Sequence, residues 1–361
     1  MSSNHEWAEQ TSPSSDEGTK ASSMPTITTK RILSLALPSL GALIAEPLFT
    51  VIDSTMVGHL GTPQLAGLGV AATVLNTAVG LFIFLAYSTT SLAGRHLGAG
   101  RRDLALRSGV EAMWLAGGFG VVAAVLLALF ASPLLSWLGA DATTLPHALA
   151  YLRASAPGLV GMFVVLAATG TLRGLQDTHT PLVAASAGAA FNAVANWTLM
   201  YPLGLGVAGS GLGTAITQTL MAVFLAWIIV RAARRQGVSL RPSTSGLVGA
   251  AVEGTPLLVR TLALRVALLA TLSAVTAIST QALAAHQIVW TLWSFAAYVL
   301  DALAIAAQAL AGFASGTGQR GAIQPILRTL SRWGVSFGVA VGVVLAFAAP
   351  WITLIFTNDQ T

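Results

Sequence analysis

Two carboxylates stand inside one of the most apolar stretches of this chain. Residues 31–61 read RILSLALPSLGALIAEPLFTVIDSTMVGHLG, and Glu46 and Asp53 fall within the apolar run. From Ile32 to Leu60 that run exceeds the roughly 20 residues needed to cross a bilayer. The two acids lie seven positions apart. Two helical turns separate them, so they share nearly one face. A carboxylate at membrane depth is costly and faces a protein interior or a wet cavity. There it can take up and release a proton or a small cation. Pro38 and Pro47 sit in the same span, and each removes a backbone hydrogen bond and permits a bend. A bendable span with buried acids suits the coupling of ion binding to movement. A plainer reading stays open: Glu46 caps or pairs within the bundle, and Asp53 lies near the outer interface.

Other polar groups interrupt apolar runs. Asn192 and Asn196 are one helical turn apart on one face. Interhelical hydrogen bonds of this kind contribute about 1 kcal/mol, so a structural role is the alternative. Asp301 and Gln308 share a later run, with Asp301 a candidate for function. Asn76 reads as a packing residue. Arg260 is expected to snorkel to the cytoplasmic face, and Arg265 to pair with Glu253 or with an acid on another span. The histidines are scattered and form no metal set. No HExxH, phosphate-binding loop or nucleophile elbow occurs. No cofactor is expected, and a membrane-embedded enzyme is disfavoured.

The elements that hold these residues follow from composition. Of 361 residues, 55% are hydrophobic and 9% charged, against about 25% charged in soluble domains. The chain therefore reads as an all-α polytopic membrane protein. The absence of cysteine excludes disulfides and thiol metal sites. A net charge of +5 without basic blocks gives no footprint for nucleic acid.

Residues 1–30 are polar, Ser/Thr-rich and of mixed charge, and read as a disordered tail. Nine apolar runs follow, at about 32–58, 64–93, 107–136, 147–172, 182–203, 209–233, 254–279, 283–312 and 330–356. Loops after the even-numbered runs hold Arg95, Arg101, Arg102 and Arg107, then Arg173, then Arg231, Arg234, Arg235 and Arg241, then Arg320 and Arg328. Loops after the odd-numbered runs hold no Lys or Arg. The positive-inside rule then places the N-terminus in the cytoplasm.

A shift of 218 residues superposes the chain on itself. Pro38 meets Pro256, Thr62 meets Thr280, and LAGRHLGAGRR at 92–102 meets LAGFASGTGQR at 310–320. The same shift sets Asp301 against Ile83, so this acid is not a packing need common to both halves. The pattern is a parallel repeat of six spans, as in several transporters. It divides the chain into a tail (1–30), a six-span lobe (31–235), a cytoplasmic linker (236–253) and three spans of a second lobe (254–361). A complete second unit would continue for about 110 further residues, so a truncated two-lobe protein is expected.

GTLRGLQDTHTPL at 170–182, then FNAVANWTLMYPLGLGVAGSGLGTAI at 191–216, resemble the fourth-to-sixth-span region of the MATE exporters, in their DinF-like branch. AAHQI at 284–288, DALAIAAQALAG at 301–312 and PLFTVIDSTMVGHLG at 47–61 resemble its eighth and first spans. The resemblance implies two six-helix lobes around a cavity. It also implies export of amphipathic, often cationic small molecules across the bacterial inner membrane by antiport with H+ or Na+. Carried over by position, Asp53, helped by Glu46, takes up the ion, Pro38 is the bend, and Asn192 and Asn196 complete an N-lobe network. Tyr151, Thr169, Thr214, Asp301 and Gln308 fall in the substrate pocket. Asn196 stands where many relatives carry an aspartate, which puts sodium binding by an acid pair in doubt. Two other readings remain: a lipid-precursor flippase of the same superfamily, with Arg153 as its main cationic candidate, and a remnant that binds substrate without transporting it.

Overall fold

In a computed structural model, residues 29–278 and 280–356 are described. The side chains of Glu46, Glu253, 276–277, 280–285, 287–288, Arg320 and 348–356 lie outside that description. The expected tail also falls outside it, except Thr29 and Lys30, which open the first helix. Eleven helices run in order: α1 (Thr29–Gly58), α2 (Thr62–Leu81), α3 (Phe84–Gly98), α4 (Arg102–Trp137), α5 (Leu145–Ser155), α6 (Gly158–Gly174), α7 (His179–Met200), α8 (Gly206–Arg235), α9 (Thr244–Ile278), α10 (Thr280–Gly316) and α11 (Arg320–Phe356). The described residues contain no strand.

Every predicted run falls on a helix or a broken pair of helices. Eight segments are long and apolar enough to cross a membrane, and α5 with α6, bent by 53°, makes a ninth. The chain is an all-helical, multi-pass membrane protein. Two interruptions were not legible as such. The second run breaks at Phe82–Ile83 into α2 and α3, and the fourth breaks at Ala156–Pro157 into α5 and α6. Proline lacks the donor needed to continue the fourth run. At the first break Phe82 turns inward, stacked on Phe163 at 4.4 Å and tilted on Phe119 at 5.2 Å.

Large apolar side chains face outward, among them Leu129 at 70% and Trp137 at 81% exposure. Lipid is as apolar as these side chains, so close packing rather than hydrophobic burial selects the helix contacts. Glycine provides that closeness. On α3, Gly94 and Gly98 face Gly312 and Gly316 of α10. A Cβ at Gly98 would strike the Phe313 carbonyl oxygen, one at Gly316 the Arg95 carbonyl oxygen, and one at Gly312 would come within 3.0 Å of the Ser91 carbonyl oxygen. These four glycines are partners under the 218-residue shift. The two copies of the repeated segment pack on one another.

Helix α1 runs unbroken through Pro38 and Pro47. Its first turns, with Ile32, Leu35 and Ala36 buried, join a cluster with Ala306, Ala309, Leu310, Ile326 and Leu330 of α10 and α11. Its far end carries Val57 into the larger cluster formed by α2–α8.

The region expected as a linker is partly helical, because α9 begins at Thr244. Ser243 explains that start: its hydroxyl accepts the Gly246 N–H at 3.1 Å, an N-cap. The same hydroxyl donates to Glu111 of α4 at 2.6 Å, and the Trp114 indole N–H reaches the Leu240 carbonyl at 3.0 Å. The α4–α5 turn is fixed by Asp141. Its carboxylate takes the Thr144 and Thr143 backbone N–H groups and both threonine hydroxyls at 2.8–3.0 Å. These bonds, the Thr144 backbone N–H first, hold its carboxyl down at about 2.

Candidate functional site

Asp53 is 5% exposed and sits between α7 and α8. Its Oδ1 accepts Asn196 Nδ2 at 3.0 Å and Ser210 Oγ at 2.5 Å. Asn196 and Asn192 bond reciprocally: Asn196 Nδ2 donates to Asn192 Oδ1 at 3.0 Å, and Asn192 Nδ2 to Asn196 Oδ1 at 3.2 Å. Asn192 Nδ2 also reaches Thr217 Oγ1 at 3.4 Å. All five side chains are buried. The sequence brings Asn192 and Asn196 to one face through their four-residue spacing. A glycine brings α8 close enough: a Cβ at Gly213 would strike Asn196 Oδ1. Ser210 and Thr217 were missed from sequence. Their signal was their seven-residue spacing on α8, in a Gly-rich stretch that any tight helix pair would also show.

Asp53 lines a cavity of about 460 Å³. Its wall is mostly apolar, with contributions from Leu68, Leu75, Met162, Leu166, Met221 and Leu225. Tyr151, Thr169 and Thr214, expected as pocket residues, line it, as does Asn76. Both helix breaks border it: Ile83, Ala86 and Tyr87 follow the first, and Tyr151 and Met162 flank the second. An apolar chamber with a few convergent polar groups is the usual form of a small-molecule site.

Other expected residues lie elsewhere. Asp301 and Gln308 are not among the residues lining this cavity. They project from α10, whose neighbour Ile305 reaches the wall instead. Asp301 lies in the electrostatic field of Arg260 and Arg173. Arg260, expected to snorkel to the cytoplasmic face, is exposed. Gln308 Oε1 is buried with no hydrogen-bond partner among the described residues. Arg153 is exposed and does not line the cavity, whereas Arg173 does. The side chain of Glu46 lies outside the described residues. Pro38 sits on the part of α1 packed against α10, in a helix with no break there. Among the described residues no group of His, Asp and Glu could hold a metal ion.

Comparison with known proteins agrees with this architecture. A chloroplastic DETOXIFICATION 44 protein of Arabidopsis thaliana is 32% identical over 91% of this chain and 65% of its own length. The DNA damage-inducible protein F of Escherichia coli is 26% identical over 91% of this chain and 73% of its own. The chain thus spans just under two thirds of the first of these relatives and under three quarters of the second. Among solved structures, a MATE transporter in a bent conformation superposes with a TM-score of 0.83 at 23% identity, over 91% of this chain and 74% of that one. The MatE family model matches twice, at residues 38–198 and 256–361. The two matches start 218 residues apart, the shift at which the chain repeats itself. Members of that family are transporters and not enzymes. With most of its length matched by the model and a helical bundle of the same fold, the chain belongs to the MatE family.

Proposed function

We propose that this chain carries the ion-coupled half of a multidrug exporter. It moves amphipathic, cationic small molecules out of the cell by antiport with H+, Asp53 being the coupling site. The observation that carries this reading is the place of Asp53. It is a buried carboxylate on the wall of an apolar chamber, and among the described residues its hydrogen bonds come from neutral donors on two other helices. Protonation neutralises that carboxylate and alters the bonds from Asn196 and Ser210, which tie α1 to α7 and α8. Helix α1 is then free to bend at Pro38, and the chamber changes shape. A ligand shifts such an equilibrium only through its different affinity for the two shapes, so a cation in the chamber and a proton on Asp53 compete through one charge. Sodium is the second candidate ion. It is disfavoured here by the amide at Asn196, where a second acid would supply charge.

The same reading gives the chain a six-span lobe at 31–235, a linker at 236–253 and part of a second lobe from 254. It sets the chain in an inner membrane with its N-terminus in the cytoplasm, on the arginine distribution of the loops. The experiment is ethidium efflux from cells expressing the chain, with and without a protonophore, beside Asp53→Asn. Efflux that the protonophore stops and that Asp53→Asn abolishes is the expected result. Undiminished efflux in the variant overturns the assignment.

A further inference from the structure

The chamber carries a second charge that the coupling reading does not use. Arg173, at the last turn of α6, is 7% exposed and lines the cavity. Its guanidinium makes no hydrogen bond and no ion pair within 4 Å among the described residues, and its Nε is buried without a partner. A buried guanidinium is ordinarily paired, because an unpaired buried charge is costly. Among the described residues, the acid whose field reaches Arg173 is Asp301, which also lies in the field of Arg260. Of the two arginines, the one on the chamber wall is Arg173, and Tyr87 lines the wall beside it.

Arg173 and Asp53 occupy opposite ends of the chamber. Gln176 of the loop after α6 is tied to the start of α1 by the Arg31 guanidinium at 2.8 Å. Thr178 reaches the Ser34 carbonyl at 3.2 Å. The Arg173 end of α6 therefore lies at the level of the first turns of α1. Asp53 is 19 residues beyond Ser34 along that helix, about 28 Å at the helical rise. The Arg173 side chain leans back toward the N-terminus of its own helix and shortens the gap.

We propose that Arg173, with Tyr87, forms an anion subsite at the α1-start end of the chamber. It takes the carboxylate or phosphate head of an amphiphile whose apolar body fills the space toward Asp53. Arginine suits this role because it stays charged, and its planar fork presents paired N–H donors to a carboxylate or phosphate. The chamber then selects for zwitterionic and anionic amphiphiles as well as cations. This inference rests on the reading of the chamber as the substrate site.

The test uses the full chain purified in detergent and two dyes of one apolar body. Tetramethylrhodamine has a free carboxylate, and its methyl ester lacks that charge. Fluorescence anisotropy gives both affinities for the wild type, Arg173→Gln, Arg173→Lys and Tyr87→Phe. The wild type is expected to prefer the free acid. Loss of a charge-assisted bond predicts about tenfold or more weaker binding of the acid to Arg173→Gln, with the ester little changed. Arg173→Lys keeps the charge and retains part of the preference, and Tyr87→Phe loses part of it. Octanoate and phosphatidylglycerol are then tried as competitors. Displacement of the acid by octanoate assigns the subsite to small amphiphiles, and displacement by phosphatidylglycerol alone assigns it to a lipid headgroup. Equal losses for both dyes in Arg173→Gln, or an unchanged affinity for the acid, overturn the subsite. Binding of the ester without the acid to the wild type overturns it and leaves the cation reading standing. Binding of neither dye removes the chamber reading and the subsite together.

Discussion

Asn196 decides what Asp53 can bind. In the Asp53–Asn192–Asn196–Ser210 group the aspartate holds the single formal charge, and the two amides orient each other by reciprocal bonds. An amide supplies an oxygen but no charge, and hard cations select carboxylate oxygens. Asn196→Asp is therefore expected to create a sodium response. Its melting temperature should rise by a few degrees in NaCl over choline chloride at equal ionic strength, because a ligand that binds the folded form alone stabilises it. The wild type should show no such difference. A sodium-specific rise in the wild type would show that one carboxylate suffices. At this scale the acid and the two amides stood out in apolar spans, and the family resemblance implied that they share one network. The donors from α8 were not, since Ser210 and Thr217 look like any small residues of a close-packed helix.

The element that most constrains the bundle is the α3–α10 contact. Gly94, Gly98, Gly312 and Gly316 let two backbones touch, and side chains there would meet carbonyl oxygens rather than movable atoms. Gly98→Leu should cost about 1–3 kcal/mol through overpacking, read as a lower melting temperature of the purified protein. Gly118→Ala on α4, where nothing lies within 4 Å, is the control and should be near neutral. A tolerated Gly98→Leu would mean that α3 and α10 do not meet in the membrane. The repeat in these segments was visible as matched letters. That the two copies face each other could not be read from them, because a sequence repeat fixes similar shapes and not which surfaces meet.

Across the whole molecule, α1 reaches both packing clusters. Its start packs with α10 and α11, and its end holds Asp53 against α7 and α8. A change at Asp53 therefore acts on a helix whose other end is seated against α10 and α11. Helix α4 in turn holds the connection before α9, where Glu111 accepts Ser243 Oγ at 2.6 Å and Arg107 Nε at 3.4 Å. Glu111 is buried and Arg235, at the start of the connection, exposed. Glu111→Ala should release the connection and raise tryptic cleavage after Arg235 about tenfold, in line with a lost bond to a charged group. An unchanged rate would show that the clamp does not hold the segment.

Sequence alone determined the class, the number of spans, the repeat and its shift, since each depends on hydropathy and spacing along one chain. Polar residues rare in apolar runs pointed to Asp53 and Asn192, and the resemblance to the MATE exporters pointed to Tyr151, Thr169 and Thr214. Tertiary structure decided which of them share a wall. It put Ser210 on Asp53, broke two spans at the chamber, and moved Asp301 and Gln308 off the cavity lining. It put Arg173 on the chamber wall, and not Arg153, the main cationic candidate of the flippase reading. The reason is rotational. Hydropathy shows that a helix crosses the membrane, but the direction each side chain takes is set by small-residue contacts between helices far apart in the chain.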